Sequence, residues 1–402
     1  MAGSICLLLL VTGCKISQEG SRNKLAPSTS FGISIDSLNA ATERLHRHVD
    51  AGRLANTFVR IVKDGEVVYN DRYGLINMAE NRPTEEHSLY RIFSMTKPVT
   101  AAAIMTLYDQ GKLSLDDKVS MYIPEFAETP VYKKINGRHG TEPQQEEMTI
   151  RHLLTHTSGI PYGWQWSYTD SIYMQRQHMR QDWTIGDMSR DLATIPLKFQ
   201  PGTRYNYGLG VDVAGYIVEV VSGMTLDAYF RTAIFDPLDM IHTSFFVPLE
   251  QQNRVSELYT HDQNGRIQVV EDRMMRNVHR SPRLLLGGAG LISTVTDYEH
   301  FCRMLLNNGM YNGTRVLSEE AAQLIMTDQL PANVPGLPGK GHGLSGTVDL
   351  ETGAYSWGGA AATSFTIDPT NNLIILCYTQ LIQARTEYAS EFKATVYRSL
   401  ME

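Results

Sequence analysis

The sequence predicts an α+β layered fold, because hairpin-like segments lie near both ends of the chain and helix-like segments occupy the middle. Near the N-terminus, apolar residues 58–62 and 67–69 flank Asp64-Gly65, a pair that supplies the positive φ of a tight hairpin turn. Near the C-terminus, strand-like residues 362–368 and 373–380 flank a Pro-Thr-Asn-Asn turn. Together, the two hairpins and the helical middle predict layers of sheet and helix.

Apolar residues at helical spacing predict several helices. The first is amphipathic, with Leu38, Ala41, Leu45 and Val49 on one face. Glycine follows three of the predicted helices closely, as expected at helix C-termini. The predicted helices cover residues 35–51, 95–110, 150–155 (as the start of a longer helix), 211–221, 296–306 and 386–399.

Composition is that of an ordinary globular protein. The chain has 402 residues, of which 42% are hydrophobic and 20% charged, with a formal net charge of -7. This length allows a sizeable core, as two domains or as one large domain with an embedded subdomain. A mildly acidic chain without a basic run argues against nucleic-acid binding. Cys302 and Cys377 lie in apolar segments and are expected to be small buried residues.

Residues 1–30 are expected to be a targeting segment and tether that precede a catalytic domain of residues 31–402. An apolar run at residues 5–11 is too short to span a bilayer, and Val-Thr-Gly-Cys at 11–14 resembles a lipoprotein cleavage box. Lipidation at Cys14 would place the protein in the periplasm or on a membrane. No Lys or Arg precedes the apolar run, so a cytoplasmic protein remains the alternative.

Ser94-Met-Thr-Lys97 begins the predicted helix at 95–110. Positions i and i+3 share a helix face, so the lysine amine can reach the serine hydroxyl, which is a weak nucleophile until a base takes its proton. The helix N-terminus also presents backbone N–H groups to developing negative charge. The spacing recurs at Ser21/Lys24 and Ser390/Lys393, and alone it favours a capping serine near a surface lysine over a catalytic pair.

Two further motifs could complete a site with Ser94. Pro-Gly-Thr-Arg-Tyr-Asn-Tyr at 201–207 delivers Tyr207 on a loop, where a phenol can act as general base and then general acid. Tyr-Ser-Trp-Gly-Gly-Ala at 355–360 combines Trp357 with Gly358 and Gly359, which allow a ligand to approach the backbone. The Ala360 N–H could then face that of Ser94 across an oxyanion. Each motif alone also fits ordinary loop packing.

These motifs in this order resemble those of the serine β-lactamase and penicillin-binding superfamily, specifically its class C-like esterases, the family VIII carboxylesterases. The resemblance extends from about Phe58 to the C-terminus. Beyond the three motifs above, two further segments carry it: Thr-Ile-Arg-His-Leu-Leu-Thr-His-Thr-Ser-Gly at 149–159 and Gly-Ala-Gly-Leu at 288–291.

The resemblance implies an antiparallel sheet flanked by helices, with an all-helical subdomain inserted at roughly 119–274. It further implies that Ser94 is the nucleophile and that Lys97 and Tyr207 move the protons, without assigning the base. The backbone N–H groups of Ser94 and Ala360 would form the oxyanion hole. No cofactor or metal is implied, and the oligomeric state is open.

Two departures from the lactamase pattern point to neutral esters of small or medium acyl groups. Leu209 stands where those enzymes have an asparagine two residues after the tyrosine, and Trp357-Gly358-Gly359 replaces their Lys-Thr-Gly. The lysine would have paired with the β-lactam carboxylate. A β-lactamase or D-Ala-D-Ala peptidase, an acyltransferase and a catalytically silent binding protein on the same fold remain alternatives for a small-molecule ester or amide ligand.

Other patterns are given structural interpretations. His152 and His156 have i, i+4 spacing, but no Glu completes a His-Glu-x-x-His motif and no third metal ligand is evident. A Gly-x-Gly-x-x-Gly string at 341–346 follows a loop and no helix pattern succeeds it, so it is interpreted as a loop.

Residues 160–183 are rich in aromatics and predict a wall of the substrate pocket or a subdomain core. The polar stretch 133–147 is predicted to be a surface insertion.

Overall fold

The computed structural model describes residues 31–176, 180, 182–272, 278–336, 338–382 and 387–400. The predicted targeting segment with Cys14 lies outside the described residues. Within the described part of the chain, no helix has the length and apolar character needed to cross a membrane.

The strands and helices occur in runs along the chain. The strands are β1 (Asn56–Lys63), β2 (Glu66–Asn77), β3 (Arg82–Pro83), β4 (Tyr90–Arg91), β5 (Val131–Ile135), β6 (Arg138–Glu142), β7 (Tyr259–His261), β8 (Ile267–Val269), β9 (Ile292–Ser293), β10 (Met310–Tyr311), β11 (Thr314–Arg315), β12 (Lys340–His342), β13 (Thr347–Asp349), β14 (Tyr355–Gly358), β15 (Ser364–Asp368) and β16 (Leu373–Tyr378). The α-helices are α1 (Ile35–Asp50), α2 (Thr96–Asp109), α3 (Ile150–Leu154), α4 (Tyr168–Arg176), α5 (Ile185–Ala193), α6 (Gly210–Ser222), α7 (Leu226–Phe230), α8 (Val295–Leu306), α9 (Glu319–Met326) and α10 (Glu387–Ser399).

Eight antiparallel strands form the main sheet in the order β12-β13-β14-β15-β16-β1-β2-β3. The predicted hairpins at the two ends of the chain are therefore confirmed, and they pair with each other through β1 and β16. In that ladder Phe58 lies opposite Tyr378 and Val62 opposite Ile374. The sheet thus joins the first and last parts of the chain, as the α+β prediction requires.

The central strands are buried on both faces, which makes the domain three-layered. Along β1, Phe58 and Val62 face the main core, whereas Val59 and Ile61 face a second cluster formed with α1 and α10. This alternation follows the two-residue period of a strand. Cys377 lies in the second cluster and Cys302 in the main core, so both cysteines are buried, as predicted.

The inserted segment is not all-helical, which corrects the prediction for roughly 119–274. It contains α3 to α7, but also the hairpins β5–β6 and β7–β8. In the first hairpin Asn136 and Gly137 both adopt positive φ, the requirement of a two-residue turn. The exposed polar strands on either side of this turn carry no apolar alternation, so the hydrophobic pattern gave no strand signal. The turn dipeptide was the available signal.

Candidate active site

Ser94 lies at the junction between the sheet and α2. It occupies a short 3₁₀ turn, Phe93–Met95, that leads directly into the helix. Phe93 has a φ of 44°, a left-handed conformation that costs a bulky residue on the order of 1–3 kcal/mol. Its ring packs beside Leu258 and Val270, which holds the strained turn in place. The strained residue therefore directly precedes the candidate nucleophile.

Helix α2 is buried on all sides, and this burial anchors the turn at its N-terminus. Nearly every side chain from Thr96 to Leu107 is buried. The Tyr298 hydroxyl donates to the Met95 carbonyl (2.8 Å), and the Leu291 N–H donates to Thr96 Oγ1 (3.1 Å). A helix buried around its circumference makes a stable base for a precise site.

The structure brings Ser94, Lys97 and Tyr207 together. The Tyr207 hydroxyl donates to Ser94 Oγ at 2.7 Å, across 113 residues of sequence. Lys97 Nζ lies farther from the same atom, at 3.4 Å. Of the two groups, the phenol is thus the closer to Ser94 Oγ.

Lys97 is fully buried (0% exposed) and its amine has three acceptors. Besides Ser94 Oγ, Nζ donates to the Gly288 carbonyl (2.6 Å) and to the Tyr162 hydroxyl (2.9 Å). Three acceptors match the three protons of an ammonium group. It also lies 4.9 Å from the centre of the Tyr207 ring, within cation–π range. The arrangement places a positive charge beside the phenol.

Two side chains that the sequence reasoning did not single out complete the surroundings of Lys97. Asp212 is buried at the start of α6 and accepts the Gly288 N–H at 2.8 Å. Burial raises the pKa of this carboxyl, while the nearby Lys97 ammonium acts in the opposite direction. Burial beside Tyr207 and Asp212 raises the pKa of Tyr162 well above its usual range, so this phenol keeps its proton.

Gly359, the residue after strand β14, lies against the turn that carries Ser94. A methyl group at Gly359 would lie 2.3 Å from Thr363 Oγ1 and 2.4 Å from the Ile92 carbonyl oxygen, so only glycine allows this approach. Ala360 follows in an exposed turn. Neither the Ser94 nor the Ala360 N–H donates to a backbone carbonyl among the described residues. Their assignment as an oxyanion hole stays a prediction.

The other predicted ligand-contacting residues lie in different surroundings. The half-buried Trp357 ring lies 5.6 Å from that of Tyr207, and Gly358 is exposed at the end of its strand. Leu209 is only 1% exposed and packs in the main core at the start of α6. Its side chain therefore contributes packing below Tyr207 where the lactamase pattern has an amide.

The aromatic segment at 160–183 divides between the two predicted roles. Tyr173 is buried in the core, whereas Tyr162 stacks on Trp164 at 4.2 Å beside Lys97. Trp164 is 57% exposed and Trp166 is 89% exposed. Because Trp164 stacks on the phenol that contacts Lys97, it forms an apolar rim to the site.

Of the two histidines with i, i+4 spacing, His152 caps a helix. Its Nδ1 accepts the Thr149 N–H (3.2 Å) at the start of α3. His156 has different surroundings: the centre of its ring lies 4.6 Å from that of the Tyr207 ring.

Comparisons with known proteins identify the family of the chain. A model of the family described as Beta-lactamase matches residues 41–393. The chain belongs to the beta-lactamase family. This family member is 33% identical to Protein Rv1367c of Mycobacterium tuberculosis strain H37Rv (81% of this chain, 86% of that one). It is 27% identical to Esterase EstB of Burkholderia gladioli, over 87% of this chain and 92% of that one.

Among solved structures, this beta-lactamase family member is similar to EstCE1, described as a hydrolase with promiscuous acyltransferase activity. The TM-score is 0.75 at 24% identity, covering 90% of this chain and all of the other. At this identity the likeness shows the fold, which confirms the predicted layered architecture.

Replacing Gly359 with alanine is expected to lower any turnover at Ser94 by about 10- to 100-fold, because the added methyl group displaces the Ile92–Ser94 turn and small misplacements cost this much. The overpacking should also cost about 1–3 kcal/mol of unfolding free energy. Steady-state kinetics and thermal melting of the variant measure both effects. An unchanged kcat would show that the 358–361 turn does not serve Ser94.

The free energy of unfolding is expected to fall as the pH drops from 6.5 towards 4, partly because of His342. Burial lowers the pKa of His342 to about 3 from its ordinary 6.5. In the interval between these values the unfolded chain binds the proton and the folded chain does not, so stability is lost on acidification. The slope is about 1.4 kcal/mol per pH unit for one proton. Urea unfolding should show a shallower slope in His342→Gln, and equal slopes would contradict the assignment.

Proposed function

We propose that this protein is a serine hydrolase that forms an acyl-enzyme on Ser94 and acts on carboxylic esters. The observation that carries the proposal is the 2.7 Å hydrogen bond from the Tyr207 hydroxyl to Ser94 Oγ, beside the buried Lys97 amine. A nucleophile within hydrogen-bond reach of a base, itself held by a third group, is the arrangement that activated serines require. Similarity to Esterase EstB supports the reaction class.

In acylation, Tyr207 reacts in its phenolate form and takes the Ser94 proton while Oγ attacks the ester carbonyl carbon. The Lys97 amine lies 4.9 Å from the centre of the Tyr207 ring and 3.4 Å from Ser94 Oγ, so it faces both reacting groups. The negative charge that develops on the carbonyl oxygen is assigned to the Ser94 and Ala360 N–H groups. When the tetrahedral intermediate collapses, the ester C–O bond breaks and the departing alkoxide takes the proton from Tyr207.

Deacylation repeats these steps with water as the nucleophile. Tyr207 accepts a proton from water, the hydroxide adds to the acyl carbon, and Ser94 Oγ leaves with the proton that Tyr207 returns. The reaction yields a carboxylic acid and restores the free serine. Both half-reactions use the same three side chains, so no further group is needed for proton balance.

The surroundings of the site support a neutral, apolar substrate. Tyr162 stacks on Trp164, which is still 57% exposed at the rim of the site. Trp357 stands where the lactamase pattern has the lysine that would pair with a substrate carboxylate. Burying an unpaired carboxylate beside these rings would be costly. We therefore propose uncharged esters of small or medium acyl groups as the substrate class.

The substrate proposal is tested by comparing kcat/KM for short-chain p-nitrophenyl esters with that for nitrocefin and a D-Ala-D-Ala peptide. We expect ester hydrolysis to exceed turnover of the two anionic substrates by about 10²-fold or more, because those substrates leave a carboxylate without a cationic partner. Faster hydrolysis of nitrocefin or of the peptide would assign the protein to the lactamase or peptidase alternative.

A further inference from the structure

His156 contacts the main chain on both sides of Tyr207. Its carbonyl oxygen accepts the Asn206 N–H at 2.8 Å. Its ring atom Nδ1 accepts the Gly208 N–H at 3.4 Å. The two residues that flank the phenol are therefore each bonded to this one histidine, which adopts a left-handed conformation with a φ of 57°.

The His156 ring also supports the Tyr207 ring directly. The two rings meet edge to face, with centroids 4.6 Å apart at 62°. Behind the histidine lie Trp357, nearly parallel to it at 6.4 Å, and His342 at 5.4 Å. The ring is thus confined between these aromatic side chains and Tyr207, and it is buried.

We propose that His156 is a positioning residue for the reaction: it holds Tyr207 at hydrogen-bonding distance from Ser94 Oγ by fixing the loop on both sides of the phenol and supporting its ring. This inference rests on the proposed function of Tyr207. Among the described residues His156 makes no hydrogen bond to Ser94, and it contacts Tyr207 and the residues on either side of it, so its effect is transmitted through Tyr207.

The protonation state of His156 is consistent with this role. Nδ1 accepts a hydrogen bond only when the ring proton is on Nε2. The titratable groups around the ring are Lys97, His342, Tyr205 and Tyr207, and none of these four is a carboxyl group. Burial, His342 and Lys97 lower the pKa of His156 well below its usual range, so the ring stays neutral and keeps the acceptor at Nδ1.

The test compares two substitutions that both tolerate the left-handed backbone, His156→Gly and His156→Asn. The glycine variant removes the ring and its acceptor, whereas asparagine restores an acceptor oxygen close to the position of Nδ1. We expect kcat for ester hydrolysis to fall by about 10- to 100-fold in the glycine variant, with KM changed by less than about threefold. The asparagine variant should recover most of the loss. If the glycine variant does not fold, His156→Ala takes its place.

His152→Ala is the matched control, because it removes the other histidine of the same segment along with its capping bond to Thr149. It should lower the melting temperature while leaving kcat unchanged. A general loosening of the segment would instead lower kcat in both variants, which would overturn the proposal.

A double-mutant cycle with Tyr207→Phe separates positioning from general stability. If His156 acts through the phenol hydroxyl, His156→Gly should not reduce the residual activity of the Tyr207→Phe protein further. Full additivity of the two losses, or a wild-type kcat in the glycine variant, would overturn the inference. Absence of ester turnover in the wild type would instead contradict the proposed function, so the two failures are distinguishable.

Discussion

Ester hydrolysis by the Ser94→Ala variant is expected to fall by more than about 10⁴-fold, because the attacking oxygen is removed while the rest of the site remains. The backbone of Ser94 keeps its N–H, so ester binding should persist and KM should change little. The comparison requires steady-state kinetics with a short-chain p-nitrophenyl ester, corrected for spontaneous hydrolysis.

The chain offers a matched control for this substitution. Ser390 and Lys393 repeat the Ser-x-x-Lys spacing on α10, where Ser390 is exposed on the outer layer of the domain. Ser390→Ala should retain wild-type activity. Equal activity in Ser94→Ala and the wild type would assign the turnover to another site or to a contaminant.

The second large effect is expected for Tyr207→Phe, with a fall in kcat of about 10²- to 10⁴-fold. Phenylalanine preserves the ring contacts with His156 and Trp357 but removes the hydroxyl that lies 2.7 Å from Ser94 Oγ. The loss therefore reports on proton transfer and not on packing. Both kcat and the melting temperature should be measured, and the melting temperature should change little.

Tyr205→Phe controls for the loss of a loop phenol. Tyr205 lies two residues earlier on the same loop, and its ring packs against His342 at 5.2 Å. Its conversion to phenylalanine should leave kcat unaltered. If Tyr207→Phe kept more than about a tenth of the activity, the proton would have to pass to Lys97, and the mechanism proposed for Tyr207 would be wrong.

Local patterns predicted the two terminal hairpins and part of the candidate site. The Asp64-Gly65 turn and the apolar strands define the hairpins, whereas their joining in one sheet was implied by the family resemblance. Ser94 and Lys97 are readable because they share one helix face. Tyr207 could be identified only from the order of the three motifs, because 113 residues separate it from Ser94.

Contacts between distant segments escaped prediction because no local pattern encodes them. Asp212 is an isolated carboxylate in an apolar helix, and only the fold shows that it accepts the N–H of Gly288, 76 residues later. Tyr162 stood among several aromatics, with nothing to distinguish the phenol that contacts Lys97. The β5–β6 hairpin was missed because its exposed strands lack an apolar face.

The most direct test of the account is the mass of the protein during turnover. The enzyme is mixed with an excess of a p-nitrophenyl ester, quenched in acid within the steady state, and analysed as intact protein and as peptides. The account predicts a mass increase equal to one acyl group, located on Ser94 and absent from Ser94→Ala. An acyl group on a different residue, or ester turnover with no covalent adduct even for slowly deacylating esters, would contradict it.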